Sequence, residues 1–306
     1  MPFVHKRFDV KTETPAFLFL MREVGMSQKM AQRMIAKGRL ICNGEFVPKD
    51  HFKLLGKVEL IDFVAESRGL KPIFVTNDFA LFDKPSGVLI HPQNRHTPYS
   101  LIDEIKHHFG YDANITHRID QETSGLVLSA NSKESERTLK MMFENRKMKK
   151  RYVALVHGHV SRETYIEAPL LRAQDESALV RMVVKVHESG KASQTKIIPM
   201  EYFPDLDMTL VEAHPRTGRQ HQIRVHLFHV KHPIVGDPIY GQREEDIVKF
   251  LDRELSDAQR IKLSGASRLL LHASQLGFEY DGNQYDIHSQ VDFRDLVLST
   301  VASDRR

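Results

Sequence analysis

Cysteine occurs once in this chain of 306 residues, at Cys42. No intrachain disulfide and no cysteine-based zinc site can form, which fits a reducing cytoplasm. Long apolar runs are missing too. No stretch approaches the roughly 18 consecutive apolar residues of a spanning helix, so no membrane association is expected. The opening residues, MPFVHKRFDVKTETP, lack the apolar centre of a signal peptide. There is no repeat of fixed period and no low-complexity tract.

The composition is that of an ordinary globular protein, 41% hydrophobic and 27% charged. The length suits two domains, or one large domain with a small companion. The net charge of +4 is a weak hint of a polyanionic partner. Its distribution says more. Residues 133–151 hold eight Lys/Arg against three Glu, and residues 214–232 hold four Lys/Arg, five His and no acid. Each could be a solvated face. Two such segments together favour a polyanion.

The first 62 residues form a unit of their own. Thr14 and Pro15 open one helical stretch, PAFLFLMREVG. Ser27 caps a second from Gln28 to Lys37, stopped by Gly38. Two short strands follow around Asn43-Gly44, a hairpin signal, and KVELIDF closes the unit. Lys29, Arg33 and Lys37 are spaced i, i+4, i+8 and form one basic stripe. By itself such a stripe is most simply a solvated helix face. VAESRGLKP, residues 64–72, is mostly polar with Gly69 and Pro72 toward its end, and residues 63–71 serve as the linker. Beyond them strands and helices alternate irregularly, so residues 72–306 are expected to build an α+β domain around a mixed, largely antiparallel sheet with flanking helices.

Two segments carry the chemistry. ITHRIDQETSGLVLSANS, Ile115 to Ser132, sets Arg118 two positions before Asp120 and then runs into apolar residues. That layout suggests a loop entering a strand, with Asp120 at the mouth of a pocket. In HPRTGRQHQIRVHLFHVKHPIVGDPIYG, residues 214–241, alternation predicts a strand over QIRVHL, with Gln222, Arg224 and His226 on one face. A half-buried arginine needs an acid or a phosphate. Asp120 is a candidate partner, held by a two-point contact that aims it in one direction. The histidines of this segment also suggest a metal hydrolase. But no HExxH occurs, no carboxylate lies between His214 and His232, and the arginines among them would repel a cation.

HRIDQETSG, the run Lys150-Arg151-Tyr152-Val153-Ala154, and RTGRQHQIRVHL, in that order, resemble the motifs of the RluA family of pseudouridine synthases. DKPSGVLIHP, GDPIYG and LLLHA match further family segments, so the likeness spans about residues 72–280. Ile119 and Val127 stand where leucine is commoner. The helix–turn–helix and NG hairpin of the first unit resemble an S4 RNA-binding domain, over about residues 14–62.

The resemblance implies a role for each matched residue. Asp120 is the catalytic carboxylate, Tyr152 stacks on the target uracil, and Arg224 pairs with the aspartate. Arg118 enters the RNA as the uridine is extruded. Arg219, His221 and Lys150 contact RNA in the catalytic domain, and Lys29, Arg33 and Lys37 do so in the S4-like unit. The implied reaction converts specific uridines in structured RNA to pseudouridine, with large-subunit ribosomal RNA the expected target and tRNA the alternative. It needs no cofactor and no metal, and a cytoplasmic monomer is expected. The competing reading from another class is a non-catalytic RNA-binding or ribosome-assembly protein that keeps the fold.

Overall fold

The computed structural model describes residues 2–172 and 183–304. The chain forms two compact units, Met1–Arg68 with Pro92–His107, and Gly69–His91 with His108–Arg306.

In the first unit, strand β1 (Phe3–Pro15) lies antiparallel to β4 (Lys53–Phe63), from Phe3 opposite Phe63 to Pro15 opposite Lys53. Ion pairs cross the ladder, Lys6–Asp62 at 2.8 Å and Lys53–Glu13 at 2.9 Å. β2 (Leu40–Cys42) pairs on the other side of β4, and β3 (Glu45–Phe46) pairs with β2. The β2–β3 turn places Asn43 at φ 50° and Gly44 at φ 90°, the left-handed pair that a tight hairpin requires. Helices α1 (Ala16–Arg22) and α2 (Gln28–Ala36) contribute Phe19, Leu20, Met34 and Ile35 to a core with Leu40, Leu54, Val58 and Leu60. Ser27 caps α2, accepting the Met30 N–H at 3.3 Å. Lys29, Arg33 and Lys37 are exposed.

β1 is absent from the expectation for this unit. Its residues alternate poorly and most are exposed, so their pairing rests on the ladder with β4 and its cross-strand charges rather than on a buried face.

The second unit is built on a sheet of ten strands. Its path runs β10 (Thr164–Glu167), β13 (Gln194–Phe203), β14 (Met208–Pro215), β9 (Lys149–His157), β15 (Leu271–Tyr280), β8 (Ser124–Ala130), β6 (Phe79–Lys84) and β5 (Phe74–Val75). β16 (Asn283–His288) adds to β15, and β7 (Asn114–Ile115) adds to β8. A separate hairpin pairs β11 (Leu170–Arg172) with β12 (Val184–Val186). Every pairing in the large sheet is antiparallel except β15 with β8, which run parallel at His272–Ser124 and Ala273–Gly125. The sheet is therefore mixed and largely antiparallel.

At the parallel junction Gly125 sits at φ 103°, and a Cβ there would overlap the Ala273 carbonyl. The glycine of TSG is thus required by backbone approach. Asp83 at the end of β6 accepts the Ser289 hydroxyl at 2.8 Å and the Gln290 N–H at 2.9 Å, tying the sheet to the segment after β16.

Helix α3 spans Leu101–Phe109. α4 (Lys133–Glu144) begins with a Ser132–Ser135 capping box and sets Leu139 and Met142 against Leu126, Leu128 and Phe79. α5 (Gln222–His229), α6 (Glu244–Leu251), α7 (Asp257–Ser264) and α8 (Phe293–Asp304) complete the unit, α8 packing Phe293, Val297 and Val301 with Leu155, Leu210 and Val235. Among the described residues no helix is long and apolar enough to cross a membrane.

The strand expected over QIRVHL is a correction: the segment is the helix α5. Gln222 through Leu227 are all buried, so neither helical nor strand periodicity shows in the hydropathy. What fixes the helix start is polar. The Gln222 amide oxygen accepts from Thr217 Oγ1 (2.6 Å) and the Arg219 N–H (3.0 Å). Its nitrogen donates to Gln194 O and Thr195 Oγ1, both at 2.9 Å. All four bonds that the side chain can make are formed.

Candidate active site

The loop bearing Asp120 is fixed at both ends. Before it, the His117 ring stacks on Phe143 at 4.3 Å and its Nε2 accepts the Leu128 N–H at 3.0 Å. Burial drives the His117 pKa down to about 3, so the ring is a neutral spacer. After it, Lys84 donates to Gln121 O at 2.9 Å, and also to Pro85 O and Val88 O at 2.9 and 2.8 Å. Burial pushes Lys84 down to about 7. Three carbonyl acceptors, however, are satisfied together only by an ammonium with three N–H groups. Ser86 adds a bond to Glu122 O at 2.6 Å. The DKPSG loop is therefore a brace for residues 121–122, next to Asp120.

Arg224 reaches Asp120 from α5. Its Nη1 donates to Asp120 Oδ2 at 3.3 Å. Its other face is engaged more firmly: Nε and Nη2 donate to Asp237 Oδ2 and Oδ1, both at 2.8 Å. The expected two-point contact with Asp120 is thus corrected. The two-point partner is Asp237, and Asp120 takes one remaining nitrogen. Asp237 is fully buried and also accepts the N–H groups of Ile239 (2.9 Å) and Tyr240 (3.0 Å). Burial alone would depress the Arg224 guanidinium. The charge and hydrogen bonds of Asp237, with Asp120 behind them, outweigh it and hold Arg224 above its ordinary value. The guanidinium also lies over the Tyr240 ring, 5.1 Å from its centroid. Gly236, at φ 79°, lets the chain turn into Asp237 where a Cβ would overlap the Arg268 carbonyl.

Tyr152 stands in β9 with alanines opposite it on both neighbours, Ala213 and Ala273, which leaves room around the ring. Burial, then the Asp120 charge, pushes its hydroxyl up, so it remains a phenol. Asp120, Tyr152 and Arg224 line a cleft of about 740 Å³ that also includes Arg118, Lys150, Arg219 and His221. Arg118 is exposed. Arg219 is half-buried, its Nε directed at Ala192 O (3.4 Å). Lys150 donates to Thr217 O at 3.2 Å, and burial, helped by Arg146, pushes it down to about 8. Lys140, Arg146 and Arg216 add further positive charge to the wall. The lining thus combines Asp120 and the Tyr152 ring with several cations.

Three other histidines of residues 214–232 are engaged elsewhere. His214 contacts Glu212 at 3.0 Å, His226 bonds Thr195 at 2.8 Å and Ala168 O at 3.0 Å, and His232 bonds His157 O at 2.9 Å. Asp237, Tyr240 and Lys84 are the residues that sequence reasoning did not single out. The first two stand in GDPIYG and the third in DKPSG, both noticed as family segments, but nothing local says what they touch.

The description RNA pseudouridylate synthase belongs to the family whose model matches residues 78–229. An uncharacterized RNA pseudouridine synthase of Helicobacter pylori strain J99 is 40% identical over 290 residues, covering 94% of this chain and 96% of that one. The ribosomal large subunit pseudouridine synthase C of Yersinia pestis is 32% identical, over 84% of this chain and 81% of the relative. Among solved structures, human RNA Pseudouridylate Synthase Domain Containing 1 matches with a TM-score of 0.57 at 24% identity, over 73% of this chain and 84% of that one.

Proposed function

This chain belongs to the RluA family of RNA pseudouridine synthases, an isomerase family, and we propose that it isomerises specific uridines of large-subunit ribosomal RNA with Asp120 as the catalytic carboxylate. The observation that carries the assignment of Asp120 is its contact with Arg224, a buried guanidinium already anchored on Asp237. Asp237 occupies the Nε and Nη2 edge of the guanidinium, and Asp120 lies on Nη1, one of the donors that remain. The choice of ribosomal RNA rests on relatives such as the Yersinia pestis enzyme, whose name states that target.

The reaction breaks the N1–C1′ bond, turns the base, and joins C5 to C1′. The C5 proton leaves and N1 gains one, so substrate and product are isomers. A stacked uracil is out of reach, and flipping it costs a few kcal/mol. Tyr152 receives the base by stacking, worth about 1–3 kcal/mol, and Arg118, exposed at the cleft, fills the vacated space. The Asp120 carboxylate then faces the ribose. Release of tritium from RNA labelled at uridine C5 tests this reading. RNA binding with no release and no pseudouridine would leave a non-catalytic RNA-binding protein.

Lys150 gives the reaction a pH limb. Its proton is held below about pH 8, and only the ammonium attracts phosphate. Thus kcat/KM is expected to fall as pH rises through about 8. Lys150→Arg should carry the limb to higher pH, since a guanidinium does not titrate there. An unchanged pH profile in the variant would remove Lys150 from RNA contact.

Residues 1–62 are proposed as an S4-like RNA-binding domain, joined through residues 63–71 to a catalytic domain over 72–306. Two helices followed by an NG hairpin support this, as does the exposure of Lys29, Arg33 and Lys37. Replacing all three by Gln should weaken RNA binding and flatten log Kd against log salt by about 0.7–0.9 per lost phosphate contact. A slope equal to that of the unaltered protein would assign the stripe to solvent.

A further inference from the structure

His221 stands in the left-handed region, φ 54° and ψ 17°, immediately before α5. Non-glycine residues adopt it rarely, and at functional sites the cost is tolerated when the surroundings dictate it. Here the conformation turns the ring inward, 9% exposed, between two groups. Nδ1 lies 2.9 Å from the Tyr240 hydroxyl, and Nε2 lies 3.8 Å from Asp120 Oδ1.

The Tyr240 hydroxyl decides the tautomer. It is buried, and it accepts the Val184 N–H at 3.1 Å. Its single proton then has His221 Nδ1 as its partner among the described residues. A buried hydroxyl keeps its proton hydrogen-bonded, so Nδ1 is the acceptor and the ring proton is on Nε2. That N–H faces Asp120. Burial, and then the Arg224 charge, pushes His221 down to about 4, so near neutral pH the contact joins a neutral donor to a carboxylate and is no ion pair.

We propose that His221, its tautomer set by Val184 and Tyr240, is a positioning residue that supplies Asp120 with a second hydrogen-bond donor when RNA fills the cleft. This rests on the role of Asp120 proposed above. The two carboxylate oxygens then have different donors, Arg224 Nη1 on Oδ2 and His221 Nε2 on Oδ1. At 3.8 Å the second contact is too long for a hydrogen bond, and a closure of under about 1 Å, of the kind substrate binding brings to catalytic contacts, completes it. With both oxygens held, the plane of the carboxylate is fixed relative to the ribose. A neutral donor achieves this without adding a second cation against Asp120.

Two amide replacements separate this role from a structural one. In His221→Gln the side-chain amide reaches the place of Nε2 and can donate to Asp120. In His221→Asn it reaches only the place of Nδ1 and can serve Tyr240. Asparagine suits the left-handed backbone better, so folding favours Asn while positioning favours Gln. With KM little changed, kcat for His221→Ala should fall about 100-fold, as expected for a misplaced reacting group. His221→Asn should fall equally, and His221→Gln should recover about tenfold of that loss. Asn at or above Gln, in an active wild-type background, overturns the proposal. ¹⁵N spectra of the imidazole rings supply a readout that needs no activity. The His221 signal, identified by its loss in His221→Gln, should be that of an Nε2–H ring, and Tyr240→Phe should admit the other tautomer. An Nδ1–H ring in the unaltered protein would also overturn it. An inactive wild type with an Nε2–H ring would instead count against the catalytic reading of Asp120.

Discussion

Asp120→Asn is expected to abolish pseudouridine formation while RNA affinity stays within about twofold. The amide has the shape of the carboxylate but neither its charge nor its capacity to attack C1′ or remove a proton. It also turns a donor group, in one of its two orientations, toward Arg224 Nη1, which now sits 3.3 Å from Oδ2. Loss of a reacting group in other enzymes lowers kcat by about 10⁴-fold or more, and the same scale is expected in tritium release. Binding should persist because Asp120 opposes the phosphate backbone, and the cations of the cleft, Arg118, Lys150 and Arg219 among them, are untouched. Turnover within tenfold of the unaltered enzyme would refute the assignment.

The second large effect is expected from Asp237→Ala. Arg224, 2% exposed, would lose both of its short bonds, and the N–H groups of Ile239 and Tyr240 would lose their acceptor. Leaving one member of a buried ion pair uncompensated costs about 3–5 kcal/mol, enough to shift a denaturation midpoint plainly. Activity should fall with it, because nothing then aims Nη1 at Asp120. The double variant Asp237→Ala/Arg224→Met removes the stranded charge as well. It should be more stable than Asp237→Ala alone, though equally inactive. A double variant less stable than the single one would show that Arg224 is held by packing, with the charge pair secondary.

Much of this arrangement could be read from the chain. The capped helix after Ser27, the Asn43-Gly44 hairpin and the strands β8, β9, β13, β14 and β15 follow from local rules, and the ordered motifs point to Asp120, Tyr152 and Arg224. Two things were hidden, for different reasons. In α5 the apolar and polar positions are buried alike, so the Ile–Val–Leu alternation imitates a strand. What decides for helix is the Gln222 bond set, reaching back to β13. Asp237 was invisible as the anchor of Arg224, because a carboxylate declares its partner only through the turn at Gly236. His221 lines the cleft with the other expected RNA contacts, and its ring lies between Tyr240 and Asp120, which no spacing rule foretells.

The bond from Asp83 to Ser289 joins residues 206 apart in sequence, and that from Arg224 to Asp120 joins residues 104 apart. Closing such distances early is entropically costly, and topologies dominated by them fold slowly. During synthesis the order of events is therefore imposed by the chain. β9, with Tyr152, emerges well before both of its sheet neighbours, β14 and β15, and waits with unpaired edges. Asp120 gains its arginine only after a further hundred residues, and that arginine gains its own anchor thirteen residues later. A nascent chain halted before Asp237 thus holds Asp120 without the anchored arginine that contacts it. The sheet that joins Tyr152 to the strand after Asp120 closes last, when β15 pairs between β9 and β8.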